Sequence, residues 1–568
     1  MNLRGKPFYL SEDDIKWVKN TLNHLSVREK AGQLFCLNIV EEDVRPMMDR
    51  LKDMDIKPGG FMTRSFKAKV VQDNFRTLQE HSEIPLLLAA NLERGADGVC
   101  EEGTLFGTQM QVAATDEERI SYNFGYVCGK EGTAVGANWN FGPITDIDYN
   151  NHNPITNTRV FSSNPDKVLK MSKAFIKGMN ESSMAVCLKH WPGDGMDERD
   201  QHMVTSINTM TPEEWDKTYG RIYEELIDDG AQTIMSAHIM LPHYQRKLVP
   251  GLRDEEIMPG SLSYELNHTL LREQLGFNGL IVTDATSMNG FMQAMSRREA
   301  VPSCIAAGCD MFLFTCDLEE DFEFMMQGIE QGILSEERLD EAVTRILALK
   351  ACLNLPRLKL EGTLVPGEEA LAVFDDISHD EMAEECADMA ITLVKDTQSL
   401  LPLTPQKHKR ILFHILGDTG GYHDFTRDHG KVFISMLEQE GFEITLFDGS
   451  RKEMQYMNVK ISEMKNNYDL IMYFANIKTS GSDTVARITW QGPGALNATR
   501  YIHEIPTIFI SVDNPYHLLD VPAVKTFING YTASPYVLTE MIHKLMGRSE
   551  FIGKSPVDPF CGNFNAGL

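Results

Sequence analysis

The chain has 568 residues, of which 42% are hydrophobic and 24% charged, with a formal net charge of -28. That length exceeds what one hydrophobic core serves and predicts two soluble domains. So large a negative charge argues against nucleic acid and anionic membrane surfaces as partners, and suits a neutral or weakly charged small substrate.

The first residues, Met1 to Lys19, alternate charges with isolated apolar residues. They do not read as a signal peptide, and no later run approaches membrane-spanning length. Short continuous apolar runs follow: Gln33–Leu37, Gly60–Met62, Ile84–Ala89, Trp139–Ile144, Met184–Leu188, Thr233–Ala237, Leu280–Thr283 and Asp310–Phe314. Such runs suit strands buried on both faces, as in a parallel sheet. Helix signals lie between them. Thr211-Pro212-Glu213-Glu214 is a capping box with proline in the first turn, and Leu339, Ala342, Val343, Ile346 and Leu347 mark one helical face. Eight strand candidates alternating with helices predict a (β/α)8 TIM-type barrel over residues 1–355, although a doubly wound sheet shows the same alternation.

Prolines 356 and 366, with Gly362 and Gly367, mark a linker over residues 356–385. A second α/β rhythm occupies 386–568, with runs at Ile411–Ile415, Glu443–Phe447, Leu470–Phe474 and Thr507–Ser511. It predicts a C-terminal αβα sandwich. The Gly417–Gly421 stretch lacks dinucleotide-binding spacing. Ten cysteines are scattered without paired or zinc-binding spacing, which reads as reduced thiols in a cytoplasmic protein with no metal.

Barrels of this kind carry their active sites at the carboxyl ends of the strands. Polar residues gather there: Asn91 and Glu93 after the third run, Asp146 after the fourth, Lys189 and His190 after the fifth, His238 after the sixth and Asp284 after the seventh. Several costly polar groups on one rim predict a shared site. Asp284 reads either as a helix cap or as a carboxylate nucleophile attacking an anomeric carbon. Asp200 and His202 lie in a connection of about twenty residues, where long loops are often functional. At i and i+2 of an extended segment the carboxylate can orient the imidazole, although Asp197-Glu198-Arg199-Asp200 also reads as a solvated charge run. Lys189 and His190, adjacent on a strand end and so facing opposite ways, suit hydrogen bonds to sugar hydroxyls. Arg159 is a further donor on a loop, or else a surface ion-pair partner.

The segments Lys189-His190-Trp191-Pro192-Gly193-Asp194-Gly195 and Asp200-Gln201-His202 resemble Lys-His-Phe-Pro-Gly-His-Gly and Asp-Ser-His of the β-N-acetylglucosaminidase (β-hexosaminidase) branch of glycoside hydrolase family 3. Gly276–Gly279 through Thr283–Met288, Asn153–Phe161, Ala237-His238-Ile239 and Pro259–Ser263 resemble further motifs of that branch, in the same order. The likeness spans the barrel and weakens beyond it, where Ile391–Asp396 and Leu400–Leu403 resemble the second domain's usual opening.

The resemblance implies that Asp284 is the nucleophile, His202 the acid/base and Asp200 its partner. Arg159, Lys189 and His190 would hold a non-reducing N-acetylglucosamine. Two departures stand out. Asn91 replaces a carboxylate that grips a sugar hydroxyl, and Asp194 replaces a histidine. The implied activity is a retaining exo-hydrolysis of terminal β-linked N-acetylglucosamine from an oligosaccharide or cell-wall fragment, with no cofactor. Phosphorolysis is the rival, since a neutral histidine tolerates phosphate better than a carboxylate base does. Two weaker readings are a β-glucosidase of the same family and a sugar-binding protein on a degenerate barrel. The second domain is expected either to shape the pocket through Thr479–Gly494 or to support a homodimer.

Overall fold

The computed structural model describes residues 1–418, 428–447, 459–479, 481–482, 484, 487–491 and 495–568. The chain divides into two compact units. The first comprises Met1–Leu105, Ser121–Ile147 and Pro165–His379; the second comprises Phe106–Ile120, Asp148–Asn164 and Asp380–Leu568. Two segments early in the chain thus group with the second unit, a division that the contiguous ranges expected from sequence do not contain.

The first unit is built on an eight-stranded parallel sheet. Its strands are β1 (Phe35–Ile39), β2 (Gly60–Thr63), β3 (Leu87–Ala90), β4 (Trp139–Asn140), β5 (Ala185–Trp191), β6 (Thr233–Ser236), β7 (Leu280–Thr283) and β8 (Phe312–Leu313). The order β8-β1-β2-β3-β4-β5-β6-β7 is that of a TIM-type barrel. A parallel bridge between Val282 and Met311 brings the two ends together. Strands β3, β5, β6 and β7 are buried at every position, which is why they read as unbroken apolar runs.

Local signals act as chemistry demands. Thr211 accepts the Glu214 N–H while Glu214 accepts the Thr211 N–H, closing the capping box. The helix Glu336–Cys352 buries Leu339, Ala342, Val343, Ile346 and Leu347. The connection after β5 is not wholly irregular, because Ser206–Ile207 pairs in parallel with Ile239–Met240. Residues 356–385, expected as a linker, carry a helix at Leu355–Glu361, a 3-10 stretch at Glu368–Asp375 and the start of the helix Ile377–Ala390. Pro356 sits in the first turn of one of these helices and Gly362 caps it in a left-handed conformation, so the two residues punctuate helical structure here.

The second unit holds a six-stranded sheet of β9 (Thr392–Asp396), β10 (Arg410–Gly417), β11 (Glu443–Leu446), β12 (Leu470–Asn476), β13 (Thr507–Ser511) and β14 (Thr526–Asn529), in the order β9-β14-β13-β12-β10-β11. Only the β9–β14 pairing is antiparallel. One face packs Phe413, Met472 and Ile510 against Phe433, Leu437, Val537 and Met541 of the helices His429–Gln439 and Pro535–Leu545. The other packs Tyr473, Phe509 and Phe527 against Met464 and Leu518. Residues 419–421 of the glycine-rich stretch lie outside the described residues, as do 480, 483, 485–486 and 492–494 of the Thr479–Gly494 segment. Among the described residues no helix is long and apolar enough to cross a membrane.

Candidate active site

Asp284 follows β7 directly, and its backbone N–H donates to Ser236 O of β6 at 2.8 Å. It caps no helix, since the next one runs over Asn289–Met292 with Met288 at the cap position. Its Oδ1 accepts the Ala285 N–H at 2.7 Å. Burial pushes the carboxyl pKa up, but the imidazoles of His190, His238 and His202, with the Ala285 N–H, outweigh burial and hold it below the usual carboxylate value. The group is therefore an ionised carboxylate ringed by histidines.

His190, on β5, reaches Asp284 from one side. Its Nε2 stands 4.0 Å from Asp284 Oδ2, and its Nδ1 donates to Asp146 Oδ2 at 2.6 Å. A carboxylate only accepts, so the proton on that bond belongs to Nδ1. Asp146 is 1% exposed and also accepts the backbone N–H groups of His190 at 3.0 Å and Asp194 at 2.8 Å. The neighbouring Lys189 donates to Glu93 Oε1 at 2.6 Å and Asn91 Oδ1 at 3.2 Å, both past the end of β3. The expectation that Lys189 and His190 point apart needs correction. The β5–β6 register shifts between Leu188 and Trp191, and that irregularity re-aims side chains so that both reach the same rim.

Asp200 and His202 form the third element. Asp200 Oδ1 accepts both the His202 backbone N–H at 2.9 Å and His202 Nδ1–H at 2.8 Å. The Asp200 side chain is buried while a third of the His202 side chain is exposed. The charge run divides accordingly: Arg199 pairs with Asp197 near the surface, and Asp200 turns inward. The loop packs on the segment that follows Asp284. Asn289 N–H donates to His202 O at 3.1 Å, Gly290 N–H to Gln201 O at 3.0 Å, and Thr205 Oγ1 to Gly290 O at 2.8 Å. A Cβ on Gly290 would stand 2.5 Å from Gln201 O and 3.0 Å from His238 Cβ, so only glycine admits this close approach.

The structure thus brings together Asp284, His202, Asp200, His190, Lys189 and Asn91 within the first unit. Arg159 lies on the Asn157–Arg159 turn, which groups with the second unit, and its Nη1 donates to Ile155 O at 3.1 Å. Sequence reasoning placed His238, Asp146 and Glu93 on the rim without assigning them tasks, and it passed over Gln201. Gln201 Nε2 lies 3.5 Å from Asp194 Oδ2, and its Oε1 accepts the His238 N–H at 2.9 Å. The bond to His238 joins residues 37 positions apart and leaves no local sequence signal. Asp194 is buried beside Asp146; desolvation first, then the Asp146 charge, push its pKa up to about 7. Among the described residues no group of three or more His, Cys, Asp or Glu side chains is arranged to hold a metal ion.

Residues 26–349, more than half of the chain, match the family profile described as "Glycosyl hydrolase family 3 N terminal domain". The chain belongs to glycoside hydrolase family 3. Among curated family members, it is 42% identical to a "Beta-N-acetylglucosaminidase/beta-glucosidase" of Cellulomonas fimi, over 100% of both chains. It is 29% identical to "Beta-hexosaminidase A" of Pseudoalteromonas piscicida over 57% of this chain and 56% of that one. Among solved structures, "Beta-glucoside phosphorylase BglX" matches with a TM-score of 0.93 at 45% identity, covering 99% of each chain. A family 3 β-N-acetylglucosaminidase from Paenibacillus sp. str. FPU-7 shares the fold, with a TM-score of 0.76 at 22% identity over 94% of this chain and 99% of that one.

Proposed function

We propose that this family 3 enzyme removes a terminal β-linked N-acetylglucosamine or glucose with retention of configuration, through a covalent glycosyl ester on Asp284. The observation that carries the reading is the Asp284 carboxylate at the end of β7, 4.0 Å from His190 Nε2, with the Asp200–His202 pair packed on the segment that follows it. Asp284 attacks the anomeric carbon while His202 protonates the departing oxygen through Nε2. The same imidazole then takes the proton from the acceptor that releases the sugar. Asp200 fixes the ring's tautomer and stabilises the imidazolium that protonates the departing oxygen and is regenerated when the acceptor gives up its proton. Lys189, His190 and Asn91 bind sugar hydroxyls, and His190 also favours Asp284 as a carboxylate. Arg159, on the second unit, is assigned a sugar contact only by its motif.

A second reading concerns the acceptor. The 45% identity with a β-glucoside phosphorylase over almost the whole chain, and an imidazole where a carboxylate base would repel an anion, favour phosphate in place of water. One experiment tests both readings: turnover of aryl β-N-acetylglucosaminide and aryl β-glucoside with and without inorganic phosphate, with the products resolved by NMR. Retained β-sugar without phosphate supports hydrolysis, and β-sugar 1-phosphate supports phosphorolysis. An inverted α-product contradicts the covalent route.

A further inference from the structure

His238 differs from the other two imidazoles of the site in what it touches. Ser261 Oγ lies 2.9 Å from its Nδ1, and Ala285 O lies 3.0 Å from its Nε2. A backbone carbonyl can only accept, so Nε2 carries the ring proton; Nδ1 is then an acceptor, and the Ser261 hydroxyl donates to it. A single tautomer satisfies both contacts. His238 and Ser261 are both fully buried, and burial lowers the His238 pKa although the Asp284 charge opposes that shift. His190 and His202 have carboxylates on Nδ1, Asp146 and Asp200. His238 has a hydroxyl there and commits its Nε2–H to a carbonyl, so it serves as a directed N–H donor.

The carbonyl it holds belongs to Ala285, whose N–H donates to Asp284 Oδ1 at 2.7 Å. We propose that Ser261 and His238 are positioning residues for the nucleophile. The pair fixes Ala285, Ala285 fixes Asp284 Oδ1, and Oδ2 is thereby presented as the attacking oxygen on the side of His190. The inference rests on the reading of Asp284 as nucleophile, and adds how its carboxylate is oriented and which oxygen forms the ester.

The test compares His238→Asn, His238→Gln and Ser261→Ala on an activated aryl β-glycoside, whose leaving group needs no proton; kcat and KM are taken for the pre-steady-state burst of released phenolate, so that they report attack by Asp284. Glutamine sets an amide N–H near the place of Nε2; asparagine reaches only the Ser261 side. His238→Asn is expected to lower kcat by about 10²-fold, the usual cost of a misplaced reacting group. KM should stay near its wild-type value, and His238→Gln should restore most of the loss. Ser261→Ala, which frees the opposite tautomer, is expected to cost about tenfold. Melting curves of each variant keep folding separate from kcat. Equal losses in the asparagine and glutamine variants, or full kcat in folded His238→Asn, would overturn the inference. Asp284→Ala in the same assay separates the two levels. If it is dead while folded His238→Asn is fully active, only the positioning claim falls. If it is active, the nucleophile reading falls and the positioning claim with it.

Discussion

His190 Nε2 stands 4.0 Å from Asp284 Oδ2, while Asp284 Oδ1 is taken by the Ala285 N–H at 2.7 Å. The two oxygens of one carboxylate therefore have different neighbours: a peptide on one side, an imidazole backed by Asp146 on the other. This asymmetry lets a buried carboxylate stay ionised and still present one oxygen to an electrophile.

The pH dependence of that carboxylate follows from its surroundings. Asp284 is held below the ordinary carboxylate value chiefly because three imidazoles outweigh burial. A reaction that needs the ionised form is retained above the folded-state pKa and lost as pH falls through it. His190→Gln removes the first of those imidazoles, so Asp284 should protonate at higher pH. The acid limb of kcat/KM is expected to move to higher pH, measured on an activated aryl glycoside. A limb that stays in place would mean that His190 does not stabilise the carboxylate.

Leaving-group dependence isolates the proton donor. His202→Ala is expected to lose about 10²–10⁴-fold on alkyl or oligosaccharide leaving groups, and far less on dinitrophenyl glycosides for the glycosylation step. Asp200→Asn should follow the same pattern with a smaller amplitude, because the amide no longer fixes the Nδ1–H tautomer. Brønsted plots against leaving-group pKa check both; a flat ratio across leaving groups would remove His202 from the acid role.

Asp194 offers a stability measurement independent of turnover. Its folded-state pKa is raised to about 7 by burial and the Asp146 charge, far above its unfolded value. The folded protein therefore bears no penalty from this group at pH values below the unfolded pKa, and loses stability as pH rises towards and through 7. Asp194→Asn removes the titration. The melting temperature of the variant relative to the parent should rise between pH 5 and pH 8. A pH-independent difference would contradict the raised pKa.

Much of the architecture was legible because barrel strands buried on both faces must be written as continuous apolar runs, and their polar ends mark the rim. Thr526–Asn529 was not, since four residues with polar ends give no alternation and their strand identity comes from neighbours on both sides. Nor were the segments Phe106–Ile120 and Asp148–Asn164, which group with residues hundreds of positions away. Within the site, the Asp200–His202 pairing is local and so could be read from its spacing, although it forms in a turn closed by the Met203 and Val204 N–H groups on Asp200 O and not in the extended segment expected. The Asp146–His190 bond joins residues 44 positions apart, and it exists only because β4 and β5 are adjacent in the closed barrel. The same holds for His238 with Ser261 and Ala285. Lys189 and His190 illustrate a different limit: a register irregularity after Leu188 overrode the alternation that a regular strand would impose.

The central claim is that Asp284 becomes covalently glycosylated, and direct trapping tests it most closely. A 2-deoxy-2-fluoro β-glycosyl donor with a dinitrophenolate leaving group slows release of the sugar more than its attachment. Peptide mass spectrometry of the acid-quenched enzyme is expected to find one fluorosugar on the peptide carrying Asp284, and none on the Asp284→Ala protein. A label on another residue, or turnover of the normal substrate by Asp284→Ala, would contradict the account.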